Sequence, residues 1–266
     1  MKMNGYVAIN RQQTRLGFAW FLVGMGFVTQ VASAQIRVLN HLPGGEGPSN
    51  PHGGLVWVGS ELYGTSRWGG ADDYGTIFKV DPSSGMLTTL FSLDESTGTA
   101  PRATLTSSGS VLYGTASMGG VGGGGTVFKF DTATNDFAVL YAFSWTDGYA
   151  PYAGVTLVGA SLYGTTQTGG DNGFGVVFKI DIQTGEFSVV HHFSGEDGAY
   201  PESRLTPVGS WLYGTTSVGG IGPDPGYGTV FKIDTQTGQF VKVYEFDSQS
   251  GSYPYAGLTR VGSALY

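Results

Sequence analysis

The chain has 266 residues, 46 of them glycine and none cysteine, with 12% charged residues and a formal net charge of −7. Its 40% hydrophobic and 14% aromatic content supports a substantial core and excludes global disorder, and the glycine-every-third pattern of collagen is missing. The acidic balance speaks against a surface for nucleic-acid phosphates.

The first 34 residues carry Lys2, Arg11 and Arg15, no acidic residue, an apolar run from Leu16 to Val28 and the ending "VASA". A basic start, a short apolar stretch and small residues at Ala32 and Ala34 predict a secretory signal peptide over 1–34, with an uncleaved membrane anchor as the alternative. Its removal leaves 10 basic residues against 20 acidic ones, a net charge of −10, in one domain over 35–266. Export without cysteine leaves stability to packing and sheet hydrogen bonds. The expected product is secreted or held at the cell surface, and monomeric.

From residue 51 the chain repeats. Tyr63, Tyr113, Tyr163 and Tyr213 stand 50 residues apart, as do Pro51, Pro101, Pro151 and Pro201. Lys79, Lys129, Lys179 and Lys232 keep the step apart from a three-residue excess in "GGIGPDPGYG", which also delays Pro254 and Tyr266. The unit 151–200 divides into four runs, "AGVTLV", "SLYGTT", "GVVFKID" and "FSVVHHF", each short, rich in β-formers and bounded by turn residues. Alternation predicts that Phe187, Val189, His191 and Phe193 share one face of the fourth strand. "DIQTGEF" predicts a turn in which Asp181 caps the backbone and Gly185 takes positive φ, with Asn135 at that place in the preceding unit.

Four short strands every 50 residues predict an all-β fold, a β-propeller of four-stranded blades with a kelch-like repeat size. Blades are expected at about 51–100, 101–150, 151–200 and 201–253, with 36–42 and 254–266 sharing one more so that the ring closes without free edges. "GSALY" stops where "GTT" is due, which reads as truncation of a longer protein or as a thin fifth blade. The stretches "LYGTTxxGG", "GTVFKID" and "TG", in four full copies over 51–266, resemble the GloVer-type tandem repeat of secreted and surface bacterial proteins. The resemblance implies export, repeat architecture and one of several alternative C-terminal anchors. It implies no activity, cofactor or catalytic residue.

Motifs that carry chemistry are few. "GGVGGGGTVFKF" lacks the Gly-Lys-Ser/Thr ending of a phosphate loop and leads into a strand, so no helix N-terminus faces an anion. His191 falls at the place of Phe91, Tyr141 and Tyr244, a packing position, and zinc would need three or four converging ligands. No cofactor is expected. Asp72, Asp73, Asp171 and Asp224 sit in loops that can hold calcium weakly, without the alternating pattern of a dedicated site. There is no G-x-S-x-G elbow. Asp147 and Asp197, each followed by Gly, read as turn residues before they read as paired catalytic carboxylates.

Topology points to one face. Connections between second and third strands, and between units, are long and emerge together; the others are tight turns. The long loops hold Trp68, Tyr74, Phe174 and Tyr227 in one set and Trp145, Tyr149, Tyr200 and Tyr253 in the other. The residue after each repeated proline varies: His52, Arg102, Tyr152, Glu202, Tyr255. A constant frame with changing side chains at one rim suits a binding surface for an extracellular glycan or protein, with no nucleic acid and no membrane beyond the leader or an anchor. A polysaccharide hydrolase or lyase using His52, Arg102, Glu202 and the loop aspartates is the alternative, and a purely structural array the third reading.

Overall fold

The computed structural model describes residues 46–222 and 225–266, together with the backbone of two further strands, Tyr6–Ile9 and Arg37–His41. Apart from Tyr6–Ile9, the leader predicted over 1–34 lies outside the described residues. Four antiparallel four-stranded sheets follow one another in chain order, each sheet holding one unit and each strand paired with the next. In the third unit the strands are Thr156–Val158, Ser161–Thr166, Val176–Asp181 and Phe187–His192. The tyrosine of "LYGT" faces the lysine of the third strand in every unit: Tyr63 with Lys79, Tyr113 with Lys129, Tyr163 with Lys179, Tyr213 with Lys232. The all-β expectation and the 50-residue unit are therefore met.

The repeated letters have separate physical jobs. The glycine of "LYGT" keeps an ordinary negative φ, so its role is space: a Cβ at Gly64, Gly114, Gly164 or Gly214 would strike the ring of Phe78, Phe128, Phe178 or Phe231. Those four rings are fully buried. The threonine that follows reaches the next unit, its hydroxyl donating to a carbonyl there: Thr65 to Ala103 at 3.2 Å, Thr115 to Ala153 at 3.0 Å, Thr165 to Ser203 at 3.5 Å and Thr215 to Ala256 at 3.1 Å. On the first strands Thr106 donates to Val155, Thr156 to Leu205 at 2.7 Å and Thr206 to Leu258 at 2.5 Å. Successive sheets are thus tied by hydroxyls whose partners repeat with the sequence.

Apolar packing between sheets completes the tie. One core cluster joins Tyr113, Val127 and Phe143 of the second unit to Leu162, Phe178 and Ile180 of the third; another joins Val177 and Phe193 to Leu212, Phe231 and Ile233. The predicted single face of Phe187, Val189, His191 and Phe193 needs correction. Pairing between third and fourth strands slips once in every unit, leaving Leu90, Leu140, Val190 or Val243 as the extra residue. This bulge turns the end of the strand toward the following sheet. Phe91 consequently stacks on Phe137 at 4.1 Å, Tyr141 on Phe187 at 3.6 Å and His191 on Phe240 at 3.7 Å. His191 is a packed aromatic, as its place in the repeat suggested.

The third-to-fourth-strand turns follow their chemistry. Asp81, Asp131, Asp181 and Asp234 each accept the N–H two residues on, and Gly85, Asn135, Gly185 and Gly238 take φ between 62° and 77°. At the chain ends, Arg37–His41 pairs with Tyr6–Ile9, and Arg260–Val261 with Ala264–Leu265, as two separate pairs.

Candidate functional site

The long loops form one braced rim. Four inter-unit loops each make a β-bridge with the following second-to-third-strand loop, at Ser49 with Trp68, Thr99 with Met118, Tyr149 with Thr168 and Ala199 with Val218. On its other side the residue before the repeated proline donates to the preceding loop: Ala100 to Tyr74, Ala150 to Gly124, Tyr200 to Phe174, Tyr253 to Tyr227, all at 2.9 or 3.0 Å. That residue is left-handed at every unit, with φ of 54° to 59° at Asn50, Ala100, Ala150, Tyr200 and Tyr253. A residue before proline is normally extended, and an L side chain at positive φ is costly, so the flanking hydrogen bonds hold a strained corner. The side chain after the proline leaves that corner from a fixed backbone.

The structure brings some of these residues together. The Arg102 guanidinium lies 4.5 Å from the centre of the Tyr152 ring. His52 is exposed beside Arg102 and Arg67; desolvation first, and then those two positive charges, lower its pKa below the ordinary 6.5. Glu202 is turned the other way, its carboxylate accepting from the Gln167 amide at 2.6 Å. Tyr255 is 60% exposed.

Arg67 is the residue that sequence reasoning missed. Its guanidinium sits 4.7 Å from the Trp68 ring centre, and burial followed by the Arg102 charge lowers its pKa. A signal existed: Arg67, Ser117, Gln167 and Ser217 form a column of changing residues at the end of the second strand. That column faces the post-proline column of the next unit, as the bond between Gln167 and Glu202 demonstrates.

The loop aromatics divide. Trp145 is 57% exposed, with Tyr149 tilted against it at 5.6 Å, and Tyr74 and Tyr253 are also open. Phe174 packs onto the core and against Tyr200 at 6.2 Å, and Tyr227 is half-buried, so both brace loops. Asp147 accepts from Ser144 N–H at 2.8 Å and from the Tyr141 hydroxyl at 2.7 Å. Asp197 does the same with Ser194 at 2.8 Å and pairs with His191 at 2.9 Å. Burial opposes ionisation of Asp197, yet the bonds from His191 and Ser194 prevail and hold its carboxyl below the usual range. The first and fourth units reverse the wiring, Asp94 and Asp247 standing at the loop start with Thr97 and Ser250 capping it. These carboxylates are turn hardware. Of the loop aspartates, Asp72 is exposed, Asp73 accepts from Gly69 N–H at 2.6 Å, Asp171 lies 3.7 Å from His192, and Asp224 is outside the described residues. No group of three or more potential ligands gathers among the described residues.

Away from the rim, a cavity of about 490 Å³ opens between first strands, lined by Thr106, Thr156, Arg204, Thr206 and Leu258 among others. Arg204 spans it, donating to the Thr156 hydroxyl at 3.3 Å and the Thr106 hydroxyl at 3.0 Å.

A family profile described as the Gloeobacter/Verrucomicrobia repeat matches residues 21–164 and 148–266. No curated protein matches the chain. Among solved structures it is similar to a nidogen/laminin complex (TM-score 0.55, 13% identity, 85% of this chain and 72% of that one). It is also similar to TolB from Acinetobacter baumannii (TM-score 0.50, 16% identity, covering 87% and 53%). A puromycin-hydrolyzing peptidase of Mycobacterium tuberculosis follows (TM-score 0.51, 15% identity, covering 79% and 30%). The chain thus spans about half of the second structure and under a third of the third, and at these identities the likeness concerns fold alone.

Proposed function

Since the chain belongs to the Gloeobacter/Verrucomicrobia repeat family, we propose that it is an exported β-propeller whose long-loop rim binds an extracellular glycan. The four sheets are its blades. Cleavage after Ala34 would remove Tyr6–Ile9 from the edge of Arg37–His41, leaving that strand free to join 254–266 in a shared blade.

The observation that carries the binding role is the rim itself. Trp145, Tyr253 and Tyr255 are between 43% and 60% exposed, Trp145 on a loop braced from both sides and Tyr253 on one bonded to the preceding loop, an arrangement that holds aromatic faces open at little entropic cost. Flat apolar faces of this kind stack on sugar rings. The carboxylates that a hydrolase would need are instead engaged, Glu202 with Gln167, Asp147 with Tyr141 and Asp197 with His191.

A glycan array probed with the purified chain tests this. Binding to at least one polysaccharide class is expected, weakened roughly ten-fold in Trp145→Ala or Tyr255→Ala through loss of a stacking face. Absence of binding across the array, or affinity unchanged in both variants, would overturn the reading.

A further inference from the structure

The rim holds one pair of side chains that makes no sense without a guest. The place where Gln167 meets Glu202, between the third and fourth units, is occupied between the first and second units by Arg67 and Arg102, again 35 residues apart. Like charges there repel, and each guanidinium costs desolvation. With 20 acidic residues in the chain, none of those described pairs with either arginine. The Nε of each is buried and has no hydrogen-bond partner among the described residues. His52 adds a third donor beside them.

The pair is also held in place. Trp68 lies under one guanidinium and Tyr152 under the other, which restricts both planes before anything binds. Two restrained planar forks beside an imidazole match an oxyanion, which would cancel the repulsion and take charge-assisted hydrogen bonds from both. Stacking aromatics elsewhere on the rim supply contact with the sugar that carries it.

Resting on the reading of the rim as a glycan surface, we infer that Arg67, Arg102 and His52 form an oxyanion subsite that selects acidic polysaccharides, through the carboxylate of a uronic acid or a sulfate ester. The net charge of −7 repels a polyanion at long range, so the attraction has to come from this local pair.

Calorimetric titration of the purified chain tests it with four probes: polygalacturonate, its methyl ester, dextran sulfate and neutral dextran. At least one of the two polyanions is expected to bind roughly ten- to a hundred-fold more tightly than its uncharged counterpart, the span expected for charge-assisted hydrogen bonds. A preference for polygalacturonate over its ester assigns the anion as carboxylate, and one for dextran sulfate over dextran as sulfate. The double variant Arg67→Gln, Arg102→Gln should bind charged and uncharged forms alike, with its thermal unfolding midpoint retained. Arg102→Lys, which keeps charge but loses the fork, should lower the preference even if the double variant fails to fold. Equal binding of charged and uncharged forms by the unmodified chain, or a preference that survives both variants, would overturn the subsite while leaving the rim reading intact. No binding to any of the four, together with a blank glycan array, would overturn both.

Discussion

The boundary between the first two units and the boundary between the third and fourth use one frame for opposite purposes. In both, a buried phenylalanine sits over a glycine, a threonine hydroxyl crosses to the next unit, and an aromatic of one fourth strand stacks on the next. At the rim they part. Gln167 and Glu202 close on each other at 2.6 Å, whereas Arg67 and Arg102 turn to aromatic rings and have no carboxylate partner among the described residues. The difference separates what the repeat needs in order to fold from what one copy carries in addition. A pair that satisfies itself is architecture, and a pair that repels itself is held for something else.

Breaking the shared frame should cost the same on either side. Phe128→Ala and Phe231→Ala each remove a fully buried ring that packs across one of these two boundaries and should destabilise by about 3–5 kcal/mol in denaturant titrations. A large gap between the two would show that the boundaries are not built alike. Thr65→Val and Thr165→Val leave a carbonyl of the following unit without its donor and should cost about 1 kcal/mol each by the same measurement.

Exchanging the rim pairs sharpens the contrast. Arg67→Gln with Arg102→Glu rebuilds the self-satisfying pair at the first boundary and should raise stability by up to about 1 kcal/mol, the scale of a partly exposed polar pair. The reverse exchange, Gln167→Arg with Glu202→Arg, should lower stability slightly and create a second anion subsite, visible as a doubled stoichiometry for an acidic oligosaccharide. Unchanged stoichiometry would mean that the full pair of aromatic supports is required, because Tyr255 matches Tyr152 there but Thr168 stands in the place of Trp68.

The smallest effect is in acid. Asp94, Asp181, Asp197, Asp234 and Asp247 are held below the ordinary carboxyl value of 3.8 by hydroxyl, backbone and imidazole donors. Groups with depressed folded pKa values stabilise above their unfolded pKa and lose that contribution as pH falls through the folded one. Thermal midpoints should therefore be flat from neutral pH to about 4 and decline below it. Asp197→Asn, at the third–fourth boundary, should soften the decline.

Much of this frame was legible because spacing and turn chemistry are local. Asp181 with Gly185, and Asn135 in place of a glycine, announce their turns by residue type, and the recurring Tyr and Lys columns announce the unit. The bulge was not legible. Leu90, Leu140, Val190 and Val243 are apolar on whichever face they fall, so the pattern reads equally well without the slip. The left-handed corner was hidden because Ala100, Ala150, Tyr200 and Tyr253 are types that ordinarily avoid it, and only hydrogen bonds from loops distant in sequence compel it. Arg67 escaped for another reason: its column gains meaning only beside the post-proline column of the next unit, a neighbourhood that exists in three dimensions.

That corner has a consequence for how such chains diversify. Because the backbone conformation before each proline is imposed by flanking bonds, the next residue can be histidine, arginine, tyrosine or glutamate with no change in the corner's φ beyond a few degrees. Substitution at these five positions should leave the corner's backbone in place, so what the rim presents can change while the scaffold beneath it does not. The same property makes the positions a ready display for randomised libraries, with Arg102 and Glu202 as two naturally sampled members.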